Sequence, residues 1–177
     1  MPVNKKKFET NMNLIVSISA IVISLGSLFF NYLQTEMIEK QQKASVLPYF
    51  EISKSQSNSR KTVNSLKCEV TNNGLGPAFI KKVSIIYEGK EIKDTDVSDF
   101  LAKKGFINNF TSSSVSEGAI IPSGKTIEHL IITDTISATK VAALFNSDKI
   151  KLKIQYASVY DEQWEVTGFE YPKKIKD

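Results

Sequence analysis

The stretch Met12–Leu33, MNLIVSISAIVISLGSLFFNYL, contains no Asp, Glu, Lys or Arg. At about 1.5 Å per helical residue it is long enough to span the roughly 30 Å hydrocarbon core of a bilayer. It reads as a single transmembrane helix, and it divides the chain into an N-terminal anchor and a longer C-terminal part. A cleaved signal peptide has a shorter apolar region, about 7–15 residues, closed by a small-x-small site. Here the run leads into Asn31-Tyr32-Leu33-Gln34-Thr35-Glu36 with no Ala-x-Ala, so a retained signal anchor is the expectation. An N-terminal helix apolar on nearly every side also finds no downstream partner of like character as a core helix.

Lys5, Lys6 and Lys7 precede the helix, while Lys40 and Lys43 come after it among Glu36 and Glu39. Basic residues hold their flank in the cytoplasm and acidic ones count for little. The clustered lysines therefore place the N-terminus inside and the large domain outside. Within the helix, Asn13, Ser17, Ala20, Ser24, Ser27 and Asn31 recur with 4-3-4-3-4 spacing, one helical face of small or polar residues. The opposite face carries Leu14, Ile18, Ile21, Leu25, Leu28 and Tyr32. Small residues allow close backbone approach in lipid, where helices have no hydrophobic reason to associate. The stripe is the candidate surface for packing on a second transmembrane helix.

The boundaries are set by composition. Residues 1–11 form a basic flank, 12–33 the membrane helix, 34–47 a polar helical stalk, 48–172 a folded domain and 173–177 a basic tail. The stalk is rich in helix formers without Gly or Pro, and Pro48 stops it. Of the 177 residues, 41% are hydrophobic and 24% charged, ordinary for a globular domain. A formal charge of +4, partly spent on the N-terminal lysines, gives no basis for nucleic-acid binding. One cysteine, Cys68, excludes an intrachain disulfide.

Beyond Pro48 the pattern is that of strands. Tyr49–Ser53 is short, and Ser53–Arg60 (SKSQSNSR) is polar and aperiodic, read as a loop. Leu66, Cys68 and Val70 alternate with polar residues, as do Ile150, Leu152, Ile154 and Tyr156. Ala78–Tyr87 is a strand, and Thr126–Thr133 is apolar on both faces, as a central strand would be. Asp96–Lys104, capped by Asp96 and closed by Gly105, and Ser137–Phe145 are short helices. The tail Lys173-Lys174-Ile175-Lys176 is expected to fray. The fold class is mainly β: an antiparallel β-sandwich carrying one or two short helices behind the anchor and stalk. No βαβ crossover is present.

The order of these features resembles a diffuse group of uncharacterised bacterial membrane proteins with an N-terminal anchor, a polar stalk and an immunoglobulin-like β-sandwich. The residues carrying the resemblance are Leu47-Pro48-Tyr49, Asn73-Gly74-Leu75-Gly76-Pro77-Ala78, Ile121-Pro122-Ser123-Gly124 and Tyr156-Ala157-Ser158-Val159-Tyr160. They are turn chemistry; the resemblance implies the sandwich and no activity.

Catalytic chemistry has little to build on. His129 is the only histidine and lies in an apolar strand, a core or interface position. Cys68 is on the inward face of its strand, where a thiol is inert. One His and one Cys make no usual zinc site. Gly74-x-Gly76 lacks the third glycine of a dinucleotide fingerprint and the Lys of a P-loop. Asp94, Asp96 and Asp99 have the wrong spacing for a calcium loop, and Asn109-Phe110-Thr111 is a chance-frequent glycosylation pattern. No catalytic residue, metal or cofactor is assigned, and the protein is not read as an enzyme. Tyr156, Tyr160, Trp164 and Phe169 concentrate aromatic rings in the last hairpin, and any left exposed are candidates for protein contact. The expected partners are the membrane, crossed once, and a protein or a second copy of this chain. The expected role is a binding or assembly module, the alternative a membrane effector or signalling subunit whose helix oligomerises.

Overall fold

A computed structural model describes residues 5–59, 62–93 and 95–176. The chain separates into two compact units, one ending at Ala44 and one beginning at Ser45. The first is the helix α1, Lys5–Ser45, which runs unbroken from the apolar stretch through the stalk. Glu36–Lys40 and Glu39–Lys43 ion pairs at 2.7 and 2.8 Å link successive turns of its polar half. Leu14, Ile18, Ile21, Leu25 and Leu28 are all more than half exposed. Between Met12 and Ser45, α1 is long and apolar enough to cross a membrane, its most apolar 18 residues having a mean hydropathy of 2.1.

The second unit holds two antiparallel sheets. One contains β1 (Phe50–Ser59), β2 (Thr62–Asn72), β7 (Thr126–Ile132) and β5 (Phe110–Thr111) in that order. The other runs β10 (Lys173–Lys176), β9 (Gln163–Thr167), β8 (Ile150–Ala157), β3 (Ala78–Tyr87), β4 (Lys90–Lys93), with β6 (Ile120–Ile121) paired to the start of β3. Their inward residues form a common core: Phe50, Leu66, Val70, Leu130 and Ile132 from the first sheet, and Ile85, Leu152, Ile154, Tyr156 and Val166 from the second. The Phe50 and Tyr156 rings stack across it with centroids 4.4 Å apart.

Two helices close the core. In α2 (Val97–Lys103) the Asp96 side chain accepts from the Ser98 amide, and Gly105 takes a φ of +70° just past the end, as the pattern predicts. α3 (Thr135–Asn146) begins two residues earlier than its apolar positions suggest. Asp134 is its cap, accepting from the Ser137 amide. Ala138, Val141, Ala142 and Phe145 turn inward.

Three expectations are corrected. The polar stretch Ser53–Arg60 is not a loop: through Ser59 it continues β1, paired with β2 from Ser53↔Glu69 to Ser59↔Thr62 with a bulge at Ser57/Asn58; Arg60 lies outside the described residues. Residues 55–58 are exposed on both faces of this ribbon, so no alternation of apolar residues marks it. The lysine tail does not fray, because Lys173 and Lys174 pair with Glu165 and Trp164 of β9. Ion pairs Lys173–Glu170 and Lys174–Glu162 at 3.1 and 3.0 Å hold it, and lysines suit a solvent-facing edge strand. The third correction is β7, which is not buried on both faces: Thr126 and Glu128 are exposed.

Candidate functional site

Asn72, the last residue of β2, is fully buried and uses all four of its amide hydrogen-bonding positions. Its Oδ1 accepts from the backbone amides of Tyr49 and Gly74, each at 3.1 Å. Its Nδ2 donates to the carbonyls of Gly76 and Ile121 at 2.9 and 3.0 Å. The Leu75 amide donates to the Leu47 carbonyl at 2.9 Å. The glycines are required by close backbone approach rather than by a ligand. A Cβ on Gly74 would stand 2.6 Å from the Pro48 carbonyl carbon, and one on Gly76 2.8 Å from the Val46 Cα. The Gly-x-Gly segment is therefore a structural junction between the start of the domain, the β2–β3 turn and the β6–β7 turn.

This junction ties the β2–β3 turn to the start of the domain and to β6. β6 and the end of β8 flank β3, with Phe79 opposite both Ile120 and Ala157. The β2–β3 turn, β6 and the β8–β9 loop carry apolar side chains into solvent: Leu75 is 73% exposed, Ile120 57%, Val159 47% and Tyr160 46%. Lys81 and Asp161 form an ion pair there at 3.1 Å. Sequence reasoning identifies Tyr160 but misses the other three, because Leu75 and Val159 sit in turns and Ile120 in a short strand, where no periodicity says which way a side chain points.

The structure separates the four aromatic candidates. Tyr156 is fully buried, its ring in the core and its hydroxyl accepting from the Phe50 amide at 3.3 Å; it has no surface to offer, and burial pushes its phenol up to about 12. Trp164 is half-buried beneath the Lys174 ammonium, 5.7 Å from the ring centroid. Tyr160 and Phe169 are exposed but bracket β9 at its opposite ends. Phe169 instead packs edge-on to Phe145 at 5.8 Å, with the Lys54 ammonium 5.0 Å from its ring. It borders a groove of about 380 Å³ together with Ile52, Lys54 and Tyr171.

The stripe on α1 keeps its hydroxyls occupied. Ser17 Oγ donates to the Asn13 carbonyl at 2.9 Å, Ser24 to Ala20 at 2.8 Å and Ser27 to Ile23 at 2.9 Å. Such back-bonding satisfies each hydroxyl donor within the helix, which lowers the cost of placing serine in hydrocarbon.

Cys68 is buried, and that burial, helped by Glu69, pushes its thiol up to about 12. His129 is fully buried, with Nδ1 3.2 Å from the Ser113 carbonyl oxygen and Nε2 4.0 Å from Asp96 Oδ1. Burial lowers its proton affinity more than Asp96 and Ser113 raise it. Asp94 lies outside the described residues, Asp96 caps α2, and Asp99 stands in that helix's first turn. Among the described residues no three His, Cys, Asp or Glu side chains converge as a metal would require. Asn109 is exposed beside β5.

No protein-family model matches the chain, and no curated protein matches it. The class defined here is thus one of architecture: a long apolar N-terminal helix ahead of a domain of two antiparallel sheets.

Proposed function

We propose that this protein is a single-pass membrane-anchored binding or assembly module. In this reading the N-terminus is cytoplasmic, the two sheets form an immunoglobulin-like sandwich outside, and the domain contacts a partner protein or a second copy of this chain. The observation that carries the reading is the set Leu75, Ile120, Val159 and Tyr160, four exposed apolar side chains on the β2–β3 turn, on β6 and on the β8–β9 loop, at the end of the sheet where β6 and β8 flank Phe79 of β3. Large contiguous exposed apolar patches mark interaction sites. Rigid support favours the same reading for Leu75 and Ile120, since Asn72 ties the β2–β3 turn to β6 without the partner and lowers the ordering cost of binding.

The test is a photoreactive phenylalanine analogue at Tyr160 in the full chain, irradiated in native membranes. A discrete adduct is expected, and Leu75→Asp with Val159→Asp should remove it. The same analogue at Ile136, exposed on α3, serves as the reference position. Equal yields at the two positions, or an adduct indifferent to the two substitutions, would refute the contact surface.

A second reading is a membrane effector or signalling subunit whose α1 helices associate. The uninterrupted small-residue face from Asn13 to Asn31, with its serine hydroxyls bonded within the helix, supports it. The two readings differ in whether α1 does more than anchor.

A further inference from the structure

In the ladder between β2 and β7, Cys68 pairs with Leu130 and Glu69 with Glu128, leaving His129 as an extra residue. Regular alternation would send His129 and Leu130 to opposite faces; this bulge turns both inward, where each is fully buried. The ring's Nδ1 meets the Ser113 carbonyl, and a carbonyl only accepts. The neutral ring therefore carries its proton on Nδ1 and leaves a bare lone pair on Nε2. Nε2 is buried with no hydrogen-bond partner, and 4.0 Å away stands Asp96 Oδ1, also an acceptor. That oxygen holds the start of α2, accepting from Ser98 N at 2.9 Å and Ser98 Oγ at 2.7 Å. Two acceptors face one another, and a single proton would turn their repulsion into an ion pair.

We propose that His129 and Asp96 form a proton-operated latch between β7 and the start of α2. A proton taken from solvent onto Nε2 makes that nitrogen a donor to Asp96 Oδ1, and the gap closes to hydrogen-bond length. Drawing the carboxylate toward the ring loosens its hold on Ser98. It also moves one wall of a groove of about 180 Å³ bordered by Thr95, Asp96, Val115 and Glu117, so acid reshapes that groove.

Asp96 is the carboxylate set against the ring. Glu128 on β7 and Glu69 opposite it on β2 both bind Lys67, at 2.7 and 2.8 Å, and β5 contributes only Phe110 and Thr111. Glu117, from the loop after Ser113, borders the groove with Asp96. Because burial lowers the affinity of His129 for its proton, the latch closes below the ordinary histidine midpoint of about 6.5. The unfolded chain binds the proton first as the pH falls. Stability is thus fully present above about 6.5 and declines until the folded midpoint is reached.

With a single histidine in the sequence, the ring signals of the isotope-labelled full chain in lipid nanodiscs are unambiguous. At pH 7.5 the Nδ1–H tautomer is expected, with a midpoint below 6.5. The Ser98, Ser114 and Glu117 amides should shift with that same midpoint. Asp96→Asn keeps a competent helix cap but removes the charge, so the midpoint should fall further and the α2 amides should stop following it. His129→Gln should abolish the coupled amide shifts. An Nε2–H tautomer at pH 7.5, a midpoint unmoved by Asp96→Asn, or α2 amides that stay still while the ring titrates would each overturn the latch.

Discussion

Asn72 and Asn73 are the same residue type side by side, yet the fold asks opposite things of them. Asn72 is buried with four backbone partners, whereas Asn73 is exposed and its side chain donates to Glu51 Oε2 at 2.6 Å. A buried backbone group left without a partner costs about 1–3 kcal/mol. Asn72→Ala strands two amides and two carbonyls, so a loss of about 3–5 kcal/mol is expected even if water reaches some of them. Asn73→Ala should cost less than about 1 kcal/mol, because it removes an exposed contact. Gly76→Ala should rank with Asn72→Ala, since backbone rather than a flexible side chain blocks the added carbon. Urea unfolding monitored by the fluorescence of Trp164, the only tryptophan, measures all three. Equal effects at Asn72 and Asn73 would mean the junction is not what holds the loops.

Among the elements, β1 and α1 each expose surface that ordinarily invites association. β1 is the long edge of its sheet, and it places Lys54 on the inward-facing register of Phe50 and Ile52. The Lys54 ammonium reaches the Asn146 side chain and the Phe169 ring, and an inward charge on an edge strand discourages strand-on-strand pairing. α1 carries no such guard. If its stripe packs on another helix, changing Ser17, Ala20, Ser24 and Ser27 together to Leu fills the groove while keeping insertion favourable. Crosslinking between helices should then fall sharply, while Ile18→Ala and Leu25→Ala on the far face should leave it nearly unchanged. Interhelical hydrogen bonds in lipid average roughly 0.6 kcal/mol, so close packing rather than bonding is expected to dominate. Identical behaviour of the two sets would reduce α1 to an anchor.

At the scale of the whole molecule, the unit from Ser45 onward has its own core drawn from both sheets and both short helices. A domain with its own core resists proteolysis as one piece, whereas an exposed connecting helix does not. With the domain outside, as proposed, protease added to intact spheroplasts should release a resistant fragment beginning near Ser45. Protection of the full chain until the membrane is broken would place the domain in the cytoplasm. Digestion of the released domain to small peptides would mean the core does not hold without the helix.

The apolar run, the cap Asp96, the alternation in β2 and β8 and the Gly-Pro turn are local chemistry, and they are readable from the residues alone. Periodicity reports a strand only when one face is buried, so residues 55–58 of β1, exposed on both faces, and the lysine strand β10 are hidden from it. The Asn72 junction is hidden for another reason: a turn residue and a four-bonded hub have the same name and the same neighbours in sequence. His129 is legible as a core residue, but its orientation depends on a bulge, which arises only when two strands pair out of step. The surface set of Leu75, Ile120, Val159 and Tyr160 is spread across 86 positions from first to last, and only the pairing of β6 and β8 with β3 sets Ile120 and the β8–β9 loop at the same end of that sheet. Sequence determines the class of each element through short-range sterics and burial pattern. Tertiary packing decides which side chains are left over once the core is filled, and those exposed ones are what a partner would meet.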